Sequence, residues 1–264
     1  MNFRFPACHL ANTATTMAYT IEINELRKNY AGAIAPALNG FSCHVEQNLI
    51  VGLLGPNGAG KTTCFNILCG MVKPDTGKAL IAGRNCTTER VVIGSIMGMV
   101  PQQIALFGNL TAMENFRYIG RLYGLSDSTI TSRTGQLLER LGLDKHADKR
   151  INAYSGGMKR RANIIASLLH EPELLLLDEP TAGVDVQSRA MILDFLKDYK
   201  AQGKTILYTS HLMDEAEQIC DEVIIIDNGK FITSGPPAKL ISETENCTRL
   251  EDVFLHFTGR SLRD

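Results

Sequence analysis

What this chain lacks narrows its possible functions before any motif is read. No apolar stretch approaches the roughly 18 residues that a membrane-spanning helix needs. The longest candidate, Val91 to Val100, is interrupted by Ser95 and two glycines. The chain is therefore not expected to cross a membrane by itself. It also lacks an excess of positive charge: 27 Lys and Arg stand against 28 Asp and Glu, a net charge of −1. Nucleic-acid binders usually carry a basic surplus, so nucleic acid is not an expected partner. Seven cysteines are present, but no C-x-x-C pair. Cys8-His9 and Cys43-His44 are adjacent, and no second pair follows at zinc-site spacing, so reduced thiols are the expectation. Residues 1–16 lack the continuous apolar region of a signal peptide, because Arg4, His9 and Asn12 break it up. Residues 1–17 are expected to form a disordered extension. Internal repeats and low-complexity runs are absent as well.

What is present reads as a folded α/β protein. At 264 residues, 44% hydrophobic, the chain can bury a large core as one large domain or two small ones. Tyr19, Ile21 and Ile23 alternate with polar residues, as in a half-buried strand. Phe41 to Val45 is a second short strand. Leu49 to Leu54 is nearly all apolar, as a strand covered on both faces would be. A helix over Lys61 to Met71 and strands over Lys78 to Ala82 and Ile96 to Val100 follow. Residues 103–170 then read as mostly helical. Thr111 and Glu114 form a capping box, Met113, Phe116 and Ile119 share a face, and Asp127 to Leu141 is a helix stopped by Gly142. Beyond this block, strands at Leu174–Leu177, Thr205–Thr209 and Val223–Ile226 alternate with helices at Gln187–Ala201 and Leu212–Ile219. Such alternation implies a parallel sheet with right-handed crossovers, into which the helical block is inserted.

Two glycine-rich helix starts carry the chemistry. Gly55-Pro56-Asn57-Gly58-Ala59-Gly60-Lys61-Thr62-Thr63 fits the P-loop pattern and sits between a strand and a helix, the context it requires. Its glycines let backbone N–H groups fold around a phosphate. Lys61 would lie across the β- and γ-phosphates of ATP, and the Thr62 hydroxyl would ligate Mg²⁺. Leu174 to Leu177 is followed by Asp178 and Glu179, two carboxylates at a buried strand end. Alternating strand side chains would give them different tasks. Asp178 would hold Mg²⁺ through water, and Glu179 would polarise the attacking water. The second start is Tyr154-Ser155-Gly156-Gly157-Met158, with Ser155 as a plausible N-cap. Two glycines in a first helical turn each cost about 1 kcal/mol relative to alanine. They make sense if something must approach that backbone closely, and an anion is the natural guest.

From about Tyr19 to the C-terminus, the chain resembles the ATP-binding subunit of an ABC transporter. YSGGM closely matches that family's LSGGQ signature, with Tyr154 for Leu and Met158 for Gln. The resemblance implies a P-loop NTPase of the α/β class. Its parts would be a mostly parallel RecA-like core sheet, an N-terminal antiparallel β subdomain and an inserted α-helical subdomain at about 103–170. The ATPase domain would span 18–245, with a helical tail at 246–264. It further implies that Tyr30 stacks on adenine and that Gln102, rather than Gln103, senses Mg²⁺ and the γ-phosphate. His211, in Thr209-Ser210-His211, would contact that phosphate. Ser155, Gly156, Gly157 and Met158 would close over the ATP of a partner subunit, and Gly183-Val184-Asp185 would form the loop that crosses to it.

The implied partners are a second nucleotide-binding subunit, such as a second copy of the chain, and a separately encoded permease. The implied location is the cytoplasmic side of the membrane. Leu250 to Leu255, with Thr258-Gly259-Arg260, resembles the tail of ATPase subunits in bacterial exporters of drugs, polysaccharides or nodulation factors. A soluble ABC-type ATPase of translation or DNA repair is the competing reading. Translation factors of that kind carry two complete motif sets, and this chain carries one. Repair ATPases insert long coiled coils, and the insertion here, at about 103–170, is too short for one. A small-molecule kinase would explain the P-loop and nothing at 155–157 or 211.

Overall fold

The computed structural model describes residues 19–259, so the extension expected at 1–17 lies outside it. β1 (Tyr19–Lys28) and β2 (Leu38–Glu46) pair antiparallel, with Ile23 opposite Cys43 and Leu26 opposite Phe41. β1 runs past the expected strand because Glu25 adopts φ +50 and bulges the chain, which lets Leu26 return to the core. β3 (Ile50–Leu54) leads into α1 (Lys61–Leu68). That helix stops before Met71 because Gly70 turns the chain at φ +68. β4 (Thr76–Ile81) and β5 (Arg84–Asn85) complete a four-stranded antiparallel sheet in the order β2-β1-β4-β5.

A short α2 (Arg90–Ile96), which its apolar composition did not foretell, precedes β6 (Met97–Val100). Three helices then form the inserted block: α3 (Ala112–Leu122), α4 (Asp127–Arg140) and α5 (Gly156–Leu168). The capping box on α3 is present: Thr111 Oγ1 accepts from the Glu114 amide at 3.1 Å, and Glu114 accepts from the Thr111 amide at 2.7 Å. Next come β7 (Leu174–Asp178), α6 (Val186–Ala201), β8 (Thr205–Ser210), α7 (Met213–Ile219) and β9 (Glu222–Asp227). β10 (Lys230–Gly235), α8 (Pro237–Glu243) and α9 (Leu250–Thr258) close the described chain.

The second sheet has six strands in the order β10-β9-β3-β8-β7-β6, parallel except for β10. Both of its faces are covered, so β7 is buried throughout. Leu175 and Leu177 pack toward α5 and α6, with Ile164, Ile165 and Phe195. Leu174 and Leu176 pack the other way, with Phe65 of α1 and Phe41 of β2. A third cluster, around Met213, Leu250 and Phe254, seats α9 on α7 and β9. No helix among the described residues is long and apolar enough to cross a membrane. The six cysteines among them are free thiols, and burial pushes Cys43, Cys86 and Cys220 up to about 12.

Candidate functional site

The P-loop is clamped between two backbone segments. A Cβ on Gly55 would stand 2.2 Å from the Ile226 carbonyl, and one on Gly60 would stand 2.4 Å from the Ala37 carbonyl. Gly60 is also the start of α1, at φ +108, which a side chain would disfavour. No side chain caps α1, so its first backbone N–H groups stay available to a ligand anion. Asn57 and Gly58 are exposed at the loop's crest, while Pro56 and Ala59 are buried beneath. Thr63 continues α1 and is half-buried.

Lys61 is buried, and its Nζ donates to the carbonyls of Gly55 at 2.8 Å and Pro56 at 3.1 Å. Burial lowers its pKa; Glu179 and Asp178 pull it back up. The ammonium stands 3.8 Å from Glu179 Oε1.

The two carboxylates diverge for a different reason from the one expected. Asp178 is the last residue of β7, and Glu179 has left the strand at φ +48. Strand alternation therefore does not separate them; a left-handed turn does. Thr209, opposite Asp178 on β8, holds both. Its hydroxyl donates to Asp178 Oδ1 at 2.5 Å and accepts from the Glu179 amide at 3.0 Å. Thr62 Oγ1 donates to the same Asp178 oxygen at 3.4 Å. Burial raises Asp178 above the usual carboxylate range, against the hydrogen bonds from Thr209 and Thr62. A hydroxyl and a carboxylate at this spacing are hard oxygen donors of the kind that suit Mg²⁺.

Glu179 is the point on which the remaining side chains converge. Gln102 Nε2 donates to its Oε2 at 3.0 Å, and His211 Nδ1 lies 3.2 Å from its Oε1. Lys61, Thr62, Gln102, Asp178, Glu179 and His211 thus form one cluster. Tyr30 stands apart, exposed on the connection between β1 and β2, with the Lys28 ammonium 5.7 Å from its ring centre.

A second cluster surrounds the start of α5. Ser155 caps the helix, its Oγ accepting from the Met158 amide at 3.2 Å. Ser155 and Gly156 are exposed, and Met158 is half-buried. The two glycines have different reasons. Gly156 faces open space, whereas a Cβ on Gly157 would meet Ser188 Oγ at 2.4 Å and Asp185 Oδ2 at 2.8 Å. Gly157 is therefore explained by packing within the chain, not by an approaching ligand. Asp185 caps α6 through the Ser188 amide at 2.9 Å, which holds its carboxyl below the usual range. Gly183, at φ +68 and exposed, and the half-buried Val184 lead into this cap. Tyr154 takes the place of leucine by burying its ring and donating its hydroxyl to the His146 carbonyl at 2.7 Å.

Thr209 is a site residue that sequence reasoning missed. Its signal was the strand pairing that sets it beside Asp178, which no single stretch of sequence displays. His170 is structural: it stacks on Tyr123 at 3.9 Å, with Nε2 3.1 Å from the Met97 carbonyl.

Residues 38–182 match the profile of the ABC transporter family. The linearmycin resistance ATP-binding protein LnrL of Bacillus subtilis is 43% identical over 228 residues, covering 86% of this chain and 71% of that protein. The Nod factor export ATP-binding protein I of Ralstonia nicotianae is 41% identical over 231 residues, 88% of this chain and 71% of that protein. A solved ATP-binding subunit of an ABC transporter superposes with a TM-score of 0.82 at 27% identity. That superposition covers 90% of this chain and 99% of the other.

Proposed function

The chain belongs to the ABC transporter family as an ATP-binding subunit, and from that premise we propose that it hydrolyses ATP in pairs to power a separate membrane permease. The work done is export, the task named for the Nod factor relative it resembles. The convergence of Lys61, Gln102 and His211 on Glu179, beside Asp178, carries this reading. ATP seats its phosphates in the loop Gly55 to Thr63, against its free backbone N–H groups, and Tyr30 stacks on the adenine. Lys61 leaves the Gly55 and Pro56 carbonyls for the β- and γ-phosphates. Thr62, Asp178 and Gln102 would hold Mg²⁺, which would supply positive charge against the phosphate oxygens.

Glu179 orients the attacking water and takes its proton. His211 holds the carboxylate in place and meets the γ-phosphate. Ser155 and Gly156 lie exposed at the start of a 13-residue helix, a suitable anion site. They close over the nucleotide of the partner, with Gly157 and Met158 beneath them and Gly183-Val184-Asp185 crossing alongside. Hydrolysis reopens the pair, and the helical block passes the motion to the permease at the cytoplasmic face of the membrane. Glu179→Gln is expected to lower turnover by about 10²-fold or more while ATP still binds. Steady-state hydrolysis alongside equilibrium ATP binding checks this, and wild-type turnover would remove Glu179 from its role.

A further inference from the structure

The helix that begins at Ser155 also holds the segment that carries Gln102. Two side chains on one face of α5, three residues apart, grip that segment at both ends. Arg160 is 7% exposed, and its Nη1 donates to the Pro101 carbonyl at 3.0 Å. Asn163 is 3% exposed, and its Oδ1 accepts from the Ala105 amide at 3.1 Å. Between these anchors Gln102 reaches Glu179 Oε2 at 3.0 Å.

The charge on Arg160 needs its own explanation. A buried cation is costly unless its charge is used, and an apolar side chain of similar volume would fill the space at lower cost. Its bond to Pro101 goes to a neutral carbonyl. Burial lowers the pKa of Arg160, and Asp178 and Glu179 raise it again, so it lies within the field of the reacting centre. Arg160 stands five positions after Ser155, on the one continuous helix that Ser155 caps. A shift of the helix start therefore moves the Gln102 segment with it.

We propose that Arg160, with Asn163, is a positioning residue that sets Gln102 against Glu179, so that engagement of Ser155 by a partner's nucleotide controls hydrolysis in its own chain. This rests on the reading of Glu179 given above. The test is ATP turnover and equilibrium ATP binding by the full chain and by Arg160→Met, Gln102→Ala and the double variant, with Glu179→Gln alongside. Methionine keeps most of the volume and removes the guanidinium. Arg160→Met is expected to lower kcat about tenfold while the Kd for ATP stays within about twofold.

The double variant should fall no further than the worse single variant, because both act through one contact. Arg160→Lys, which keeps a donor for Pro101, should recover most of kcat. Multiplicative losses in the double variant, or weaker ATP binding with kcat unchanged, would overturn the proposal. Wild-type turnover by Glu179→Gln would instead overturn the reading beneath it. If thermal melting shows Arg160→Met unfolded, Asn163→Ala takes its place in the same cycle, with the same two outcomes.

Discussion

At the residue scale, the threonine at 209 does what the acidic pair cannot do alone. One hydroxyl donates to Asp178 and accepts from the Glu179 backbone, so a single side chain fixes both carboxylates. The arrangement leaves Asp178 in a place that opposes its charge. Burial raises its folded pKa above the unfolded value, so the folded chain binds more protons between the two. The stability this contributes is present below the unfolded value and is lost as pH rises through the folded one. At neutral pH the ionised carboxylate therefore destabilises the ligand-free fold. Asp178→Asn keeps an oxygen that accepts from Thr209 and Thr62 and removes the charge. Its melting temperature near pH 7.5 should exceed that of the wild type, with the gap narrowing toward about pH 4. Its ATP turnover should fall by about 10²-fold or more, because on the proposed reading Asp178 would help to hold Mg²⁺. Calorimetry across pH, beside a turnover assay, checks both halves. A variant that melts lower at neutral pH would show that the carboxylate is structural.

At the element scale, the start of α5 separates a packing glycine from an exposed one. Gly157→Ala forces a methyl against Ser188 and Asp185, so α5 must lift from the start of α6. The expected cost is about 1–3 kcal/mol, seen as a lower melting temperature. Gly156→Ala meets nothing within 4 Å, and alanine favours helix, so stability should hold or rise by up to about 1 kcal/mol. On the proposed pairing turnover should still drop, because the added methyl would stand where the partner's phosphate approaches. Melting curves and ATPase assays on the pair separate these outcomes. Equal destabilisation by the two would remove the distinction.

Elements of this kind were legible wherever a local rule governed them. The Thr111 capping box, the Ser155 cap and the P-loop helix start follow from residues a few positions apart. The turn at Glu179, the bulge at Glu25 and the brief α2 were not legible. Each depends on what the neighbouring sheet or helix demands, and residue type alone does not reveal that demand. Arg160 and Thr209 escaped notice for the same reason: their partners, Pro101 and Asp178, lie far away in the chain.

At the scale of the whole molecule, the site collects at the carboxyl ends of adjacent parallel strands. Lys61 follows β3, Gln102 follows β6, Asp178 ends β7, and His211 follows β8. Ligands of open parallel sheets bind at this edge. ATP at about 100 times its Kd should therefore stabilise the fold by about 2.7 kcal/mol, and Lys61→Ala should lose that gain without unfolding. Thermal shift with and without ATP reads this directly. The motif set and the strand–helix rhythm foretold the architecture. The proposal that the site is shared between two subunits rests on Ser155 and Gly156, which lie exposed at the start of α5. Light scattering on Glu179→Gln, with and without ATP and Mg²⁺, tests that claim most directly. The mass should double with ATP, and adding Ser155→Arg should leave a monomer that binds ATP as well as before. If the Ser155→Arg chain pairs just as readily, the signature does not act across subunits.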